Sequence, residues 1–493
     1  MIPMKIRLLT MAPRRGMFLL GFLVSLAAVH LFAAAPDAGE QEGWQLKHDK
    51  LVARLNLLAG KENTFGPAYA PLYHAALRWY EEWGGKPRHA VDDWMVPPEA
   101  YAGELADALE QGRNSFVENP GALWPLALEI PGTGRSFRAN CWLTLPAGFG
   151  EPGRTFPLVI GLHGSGWLGH KISFVRKSGQ EPSAGGVFSV TPINEGGPWQ
   201  IDFLNAYLDE LMRILPIDRD RIYVEGHSLG AMATWEWALD NPERFAAISP
   251  RSGIGEPFRA ARLKHVPAWV IHGVNDEVVP AGFADQMVTA LQASGASVRY
   301  SVLPDVGHNM PDDLDERRVV DWYLRQSRSH EPVPADPRDA LGLSAEGFSP
   351  WEKLAVPAGR FWVSAPAPFS SREAQRAAAL PLFRQAEDRQ GLADALLQLK
   401  LDRQTNAVTL WLPVPQSLRS GAKVDLAAVA RPAASCVRFY FRGETKLALA
   451  HVDRLTAEIE AAGLHPSGEL WITPLSLWWD TASSIAEYRI GLK

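Results

Sequence analysis

The pentapeptide Gly226-His227-Ser228-Leu229-Gly230 holds a serine between two glycines. Before it runs Ile222-Tyr223-Val224-Glu225, apolar in the manner of a buried strand. After it Ala231–Leu239 reads as a helix that stops at Asp240-Asn241-Pro242. A tight strand-to-helix turn lifts its central side chain above the sheet edge and sets it at the positive end of the helix. The glycines are needed because side chains flanking so tight a turn would clash. A serine there can attack a carbonyl, provided a base takes its proton and an acid orients the base. The competing reading is a serine that only caps the helix.

Two downstream segments offer the partners. Val270-Ile271-His272-Gly273-Val274-Asn275-Asp276-Glu277 places an acid in the loop after an apolar strand. Asp276 has the best position relative to the strand end, with Glu277, Asp285 and Asp305 as competitors. Ser301-Val302-Leu303-Pro304-Asp305-Val306-Gly307-His308 places a histidine after another short strand. His308 is the preferred base, because His272 lies too close to its strand and His265 precedes the strand. Two backbone N–H groups must also meet the developing oxyanion. One is that of Leu229, after the serine. The other comes from Leu162-His163-Gly164-Ser165-Gly166, with Ser165 the candidate and Gly166 the substitute. Trp199, in the Gly-rich stretch Asn194–Asp202, is a candidate stacking surface for a substrate ring, with Gly166 and His227 as further pocket candidates. The competing reading packs Trp199 on the next helix.

These residues need a frame, and the chain supplies one. Pro125–Ile130 and Phe137–Leu143 alternate like half-buried strands around a Gly-rich turn, which predicts an antiparallel opening to a sheet. Pro157–Leu162, Ile222–Glu225 and Ala268–Ile271 are solid apolar runs of strand length with helical stretches between them. That pattern predicts a mostly parallel sheet covered on both faces, closing with a helix over Asp315–Gln326. Residues 36–122 read as a helical N-terminal extension, 123–329 as the α/β unit, 330–337 as a Pro-rich linker and 338–493 as a β-rich C-terminal domain. In that domain 397–402 and 408–412 read as one hairpin, and 437–441 with 446–449 as a second. Its tryptophans, among them Trp362, Trp411 and Trp471, are assigned to the core of a small sandwich. A carbohydrate platform is the competing reading, with Trp478-Trp479 the pair to watch.

Residues 1–35 carry Lys5, Arg7, Arg14 and Arg15 before an apolar run, Gly16–Ala35, that ends in small residues. This predicts a signal peptide and export to the periplasm or beyond. The run is long enough that an uncleaved membrane anchor is the alternative. The net charge of −6 gives no basic surface, which argues against nucleic acid as a partner. The two cysteines, Cys141 and Cys436, form no metal motif, and no clustered Cys/His spacing occurs, so no metal is expected; a serine, histidine and acid acting together need no organic cofactor either.

Together, His163-Gly164-Ser165, the turn around Ser228, Asp276 and His308 resemble the α/β-hydrolase superfamily. They are most similar to its secreted esterases of the polyhydroxybutyrate depolymerase-like and feruloyl esterase-like kind, with dienelactone hydrolases and prolyl-oligopeptidase-type peptidases as cousins. The resemblance spans roughly residues 123–326, about two-fifths of the chain. It implies acyl transfer through a serine ester with Ser228, His308 and Asp276 as the triad. Pro250-Arg251-Ser252-Gly253 departs from the Cys-Gly-rich segment that depolymerase-like relatives tend to carry, which weighs against a polymer depolymerase. The expectation is an exported serine esterase acting on small esters or esters attached to polysaccharide. A prolyl-oligopeptidase-type peptidase is the first alternative, disfavoured because residues 41–122 are too few for a propeller. A catalytically silent hydrolase-fold binding protein is the second. Acyl group, alcohol and oligomeric state are not legible.

Overall fold

Leu72, Ala75, Ala76, Trp79 and Tyr80 recur every three or four residues and are all buried, so the segment holding them coils into a helix with one apolar stripe. The computed structural model describes residues 38–83, 98–119, 121–130, 137–164, 186–194, 198–310, 316–370, 397–414, 428–475 and 485–493, together with Ala374, Ala378 and Leu382. The expected signal peptide, Ser165, Gly166 and Trp478-Trp479 lie outside the described residues. The N-terminal extension comprises α1 (Ala38–Leu57), α2 (Ala70–Trp83), α3 (Pro98–Glu110) and a single turn, α4 (Ser115–Glu118). The Asn114 side chain caps α4 by accepting from the Phe116 N–H. These helices share one core with the sheet that follows. Arg78 Nε donates to the Ala127 carbonyl at 3.0 Å and the Tyr69 hydroxyl to that of Phe149 at 2.7 Å.

The central sheet contains β1 (Leu123–Ile130), β2 (Phe137–Thr144), β3 (Phe156–Leu162), β4 (Phe188–Pro192), β5 (Ile217–His227), β6 (Ala247–Arg251), β7 (Ala268–Gly273) and β8 (Val298–Leu303). Their order is β1-β2-β4-β3-β5-β6-β7-β8. β2 runs antiparallel to β1 and β4, and every pairing from β4 to β8 is parallel. Helices α5 (Ile201–Ile214), α6 (Leu229–Asp240), α7 (Gly282–Ala293) and α8 (Glu316–Tyr323) make the crossovers and the close. All residues of β3, β6 and β7 are buried, as a sheet covered on both faces requires. This is the α/β-hydrolase fold, with its antiparallel opening and parallel body as expected. β4 and β6 escaped the sequence reading because Ser189, Thr191 and Pro192, and Ser249, Pro250 and Arg251, break up their apolar character.

A second sheet follows, antiparallel throughout. It contains β9 (Glu352–Val356), β10 (Gly359–Val363), β11 (Ala367–Pro368), β12 (Gln398–Asp402), β13 (Ala407–Pro413), β14 (Val429–Arg431), β15 (Ala434–Arg442), β16 (Pro466–Pro474) and β17 (Ile485–Leu492). Their order is β14-β10-β13-β12-β16-β17-β15-β9, with β11 on β13. The β12–β13 hairpin forms as expected, turning through Asn406 at φ 52°.

The expected second hairpin does not form. Residues 445–461 are instead helix α9 (Thr445–Ala461), which buries Ala448, Val452, Leu455 and Ile459. That spacing is helical, and the four-residue window 446–449 was too short to reveal it. Among the described residues the tail is therefore one antiparallel sheet with α9 packed into its core, rather than the expected sandwich of two sheets. Trp362 lies in its core, whereas Trp411 and Trp471 meet edge to face at 5.0 Å, with Lys400 and Arg431 over the Trp471 ring. Cys141 and Cys436 are both buried and both free. No helix among the described residues is long and apolar enough to cross a membrane.

Candidate active site

β5 ends at His227 and α6 begins at Leu229, so Ser228 alone makes the turn between them. It adopts φ 55° and ψ −118°, a conformation L-residues rarely take. Two contacts hold it there. Its N–H donates to the Arg251 carbonyl at 3.0 Å, and its carbonyl accepts from Met232 N–H at 3.0 Å. The glycines are fixed by sterics. A Cβ at Gly226 would lie 2.3 Å from the Gly230 backbone, and one at Gly230 would lie 1.9 Å from the Leu162 carbonyl oxygen. The turn thus packs directly against the end of β3.

The three expected partners meet. Ser228 Oγ and His308 Nε2 are 2.8 Å apart. His308 Nδ1 lies 2.9 Å from Asp276 Oδ2 and 3.1 Å from Oδ1. A carboxylate only accepts, so Nδ1 carries the hydrogen and Nε2 is left free to accept from the serine hydroxyl. Asp276 follows β7 and its side chain is wholly buried. Oδ1 accepts from the N–H groups of Val278 (2.9 Å) and Val279 (2.7 Å). His272 donates Nε2–H to the Val279 carbonyl at 2.8 Å, with Asp276 Oδ2 at 3.3 Å. Burial works to raise the Asp276 pKa, but hydrogen bonds from His272, His308 and the backbone outweigh it and hold the carboxyl well below its usual range. The competing acids stand elsewhere: Asp285 accepts from the Tyr300 hydroxyl, and Asp305 sits at a left-handed turn position.

The His308 loop is fixed from below. Gly273 has no room for a Cβ, which would lie 2.3 Å from the Val306 carbonyl oxygen, and Asn275 N–H donates to that same oxygen at 2.9 Å. Beneath the serine turn, Arg251 and Glu225 form a buried ion pair at 2.9 Å. Sequence reading missed both supports, because they depend on which strands are neighbours.

Leu229 opens α6, and first-turn N–H groups of a helix have no intrahelical acceptor, so its N–H is available to an oxyanion. The other expected donor, Ser165, is outside the described residues. The segment just before it is well held. His163 Nδ1–H donates to the Gly164 carbonyl at 2.7 Å, and Nε2 accepts from Asn194 N–H at 2.9 Å. Trp199 is only 4% exposed and donates its indole N–H to the His163 carbonyl at 3.2 Å. It supports this segment and offers no face to a substrate ring. His227 Nε2 lies 2.7 Å from the His308 carbonyl. Beside the serine, Leu229, Val278 and Phe283 pack on buried Met232, Ile254 and Val279, forming an apolar patch that neither motif predicted. Phe283 also touches the core of the C-terminal domain.

A hydroxyl, an imidazole and a buried carboxylate in series can perform acyl transfer. The described residues contain no cluster of His, Cys, Asp and Glu able to hold a metal. Residues 199–315 match the Phospholipase/Carboxylesterase family. An uncharacterized protein of Mycobacterium tuberculosis is 32% identical over 130 residues, which is 22% of this chain and 45% of that protein. An uncharacterized peptidase of Bacillus subtilis is 22% identical over 267 residues, 43% of this chain and 40% of that protein. The chain thus spans less than half the length of these curated relatives. A solved thermostable esterase aligns at 25% identity and a TM-score of 0.37, covering 41% of this chain and 63% of its own.

Proposed function

We propose that this protein is a serine hydrolase that cleaves carboxylic esters through an acyl-enzyme intermediate. The observation that carries the reading is the continuous series from Ser228 Oγ through the His308 imidazole to Asp276, at 2.8 and 2.9 Å. Ser228 Oγ attacks the ester carbonyl carbon while His308 Nε2 takes its proton. The oxyanion forms against the Leu229 N–H and a second donor, for which Ser165 is our candidate. The carbonyl re-forms, the C–O bond to the alcohol breaks, and His308 returns the proton to the leaving alkoxide. Water then repeats the sequence: His308 takes its proton, hydroxide adds to the acyl carbon, and the acid leaves as Ser228 recovers its hydrogen. Asp276 stays ionised and holds the imidazole in one tautomer. A short ester attached to a sugar polymer or a small aryl ester is the substrate class we favour, and export through the N-terminal apolar run is the localisation we favour.

A serine peptidase is the second reading, supported by the similarity to the Bacillus subtilis peptidase. One assay separates the two. The full chain and Ser228→Ala are given p-nitrophenyl acetate and an aminoacyl-prolyl amide, with a fluorophosphonate probe in parallel. Ester turnover and labelling lost together in the variant support the esterase. Amide turnover without ester turnover makes the protein a peptidase, and no labelling of the wild type removes both. N-terminal sequencing of the protein recovered from cell fractions tests export.

A further inference from the structure

His227 stands next to the nucleophile, yet its side chain serves another residue. Its Nε2 lies 2.7 Å from the backbone carbonyl oxygen of His308. A carbonyl only accepts, so His227 Nε2 carries the hydrogen and donates. The consecutive residues 227 and 228 therefore grip His308 at two places, its imidazole at Ser228 Oγ and its main chain at His227. The second grip falls on the main chain of the His308 loop. Its upstream part is tied to the β7 loop at Val306, two residues before His308. Asp276 and Ser228 align the imidazole ring but do not fix the peptide that carries it.

We infer that His227 is a positioning residue for the reaction: as a neutral donor it sets the main chain of His308 so that one imidazole nitrogen faces Ser228 while the other faces Asp276. The inference rests on the proposed function for its kinetic consequence, though not for its geometry. Charge is part of the arrangement. The two imidazole rings are 4.9 Å apart between centroids. Acyl transfer makes His308 an imidazolium in the transition state, and a second cation at that distance would oppose it. Burial first, and His308 second, push the His227 pKa down to about 4. The other charged groups acting on it are Asp276, which favours protonation, and Arg251, which disfavours it. At neutral pH His227 is thus an uncharged donor.

The test uses His227→Gln, which keeps an N–H donor at the end of the side chain, and His227→Phe, which keeps a ring and removes the donor. His227→Phe should lower kcat for p-nitrophenyl acetate roughly 10- to 100-fold, the scale expected for sub-ångström misplacement of a reacting group. KM should stay within about twofold, since uniform binding is untouched. His227→Gln should restore most of the lost kcat. A near-wild-type kcat in His227→Phe, or equal losses in both folded variants, overturns the inference. If the Phe variant does not fold, the Gln variant decides: a rate within a few-fold of wild type supports the role, and a loss as large as that of Ser228→Ala overturns it. The far-downfield proton NMR signal of His308 Nδ1–H against Asp276 gives a readout without turnover. It should shift or broaden in His227→Phe and return in His227→Gln; an unchanged signal in the Phe variant counts against positioning. If the wild type neither turns over esters nor reacts with fluorophosphonate, the proposed function fails, and this signal still judges the geometry.

Discussion

Arg259 reaches Asp336 with Nη2 2.7 Å from Oδ2, and both residues are buried. One sits in the α/β unit and the other in the Pro-rich segment read from sequence as a linker. The same guanidinium bonds Glu256, Asp240 and the Leu239 carbonyl, and Arg262 donates to the Pro334 carbonyl. The segment is therefore fastened at the end of α6, the helix that begins just after Ser228. Asp336→Asn leaves Arg259 with its other partners but one charge fewer, and should cost about 2 kcal/mol of unfolding free energy. Urea denaturation checks this, and an unchanged midpoint would mean the contact contributes nothing.

Asp336 also predicts a pH dependence. Burial works to raise its pKa, but hydrogen bonds from Arg338 and Arg259 outweigh burial and hold it down to about 2. The folded value is lower than the unfolded one of about 3.9, so the folded state favours the ionised form. Its stabilisation is present above about pH 4 and is lost as pH falls towards about 2. Unfolding free energies of the wild type should decline over that window more steeply than those of Asp336→Asn. Parallel curves would sink the assignment.

Asp276→Asn should keep the geometry but favour the wrong imidazole tautomer. On that ground kcat for p-nitrophenyl acetate should fall by about three to four orders of magnitude with KM little changed. A near-wild-type rate would mean that another carboxylate orients His308.

Gly230→Ala would set a methyl group where the Leu162 carbonyl oxygen lies 1.9 Å away. Backbone faces backbone there, so no side chain can rotate aside. We expect a loss of about 2–3 kcal/mol of stability and at least a tenfold lower kcat, because β3 leads into the oxyanion segment. Thermal melting and steady-state rates read both. An active, equally stable variant would show that the two backbones can separate freely.

Phe283→Ala tests whether the C-terminal domain matters to the site. The side chain lies between the apolar patch beside Ser228 and the core of that domain. Its loss should raise KM for a butyrate ester more than for an acetate ester, by a few-fold, since a longer acyl chain covers more of the patch. Equal changes for both esters would separate the patch from acyl recognition.

The site was legible where chemistry is written in short, local patterns. The glycines around Ser228 and the acid after β7 each follow an apolar run, whereas the histidine follows β8, a mixed strand with no buried residue. What escaped were relations across the sheet. Arg251 pairs with Glu225 because β6 lies beside β5, and His227 meets the His308 carbonyl because β5 and the β8 loop converge. No one-dimensional period encodes such neighbours. Of the two readings of Trp199, its burial fits the packed one, and what neither reading contained is the bond from its indole N–H to the His163 carbonyl. Helix α9 was misread as a strand from too narrow a window.

The backbone of Ser228 has one more consequence. At φ 55° and ψ −118° glycine is at ease and every L-residue is strained, at a cost on the order of 1–3 kcal/mol. Ser228→Gly would abolish attack while relaxing the turn. That relief is set against the lost bond to His308 Nε2 and the greater freedom glycine gives the unfolded chain. The strained backbone is thus a local cost of holding the hydroxyl above the sheet, as a compressed spring stays compressed only while something holds it.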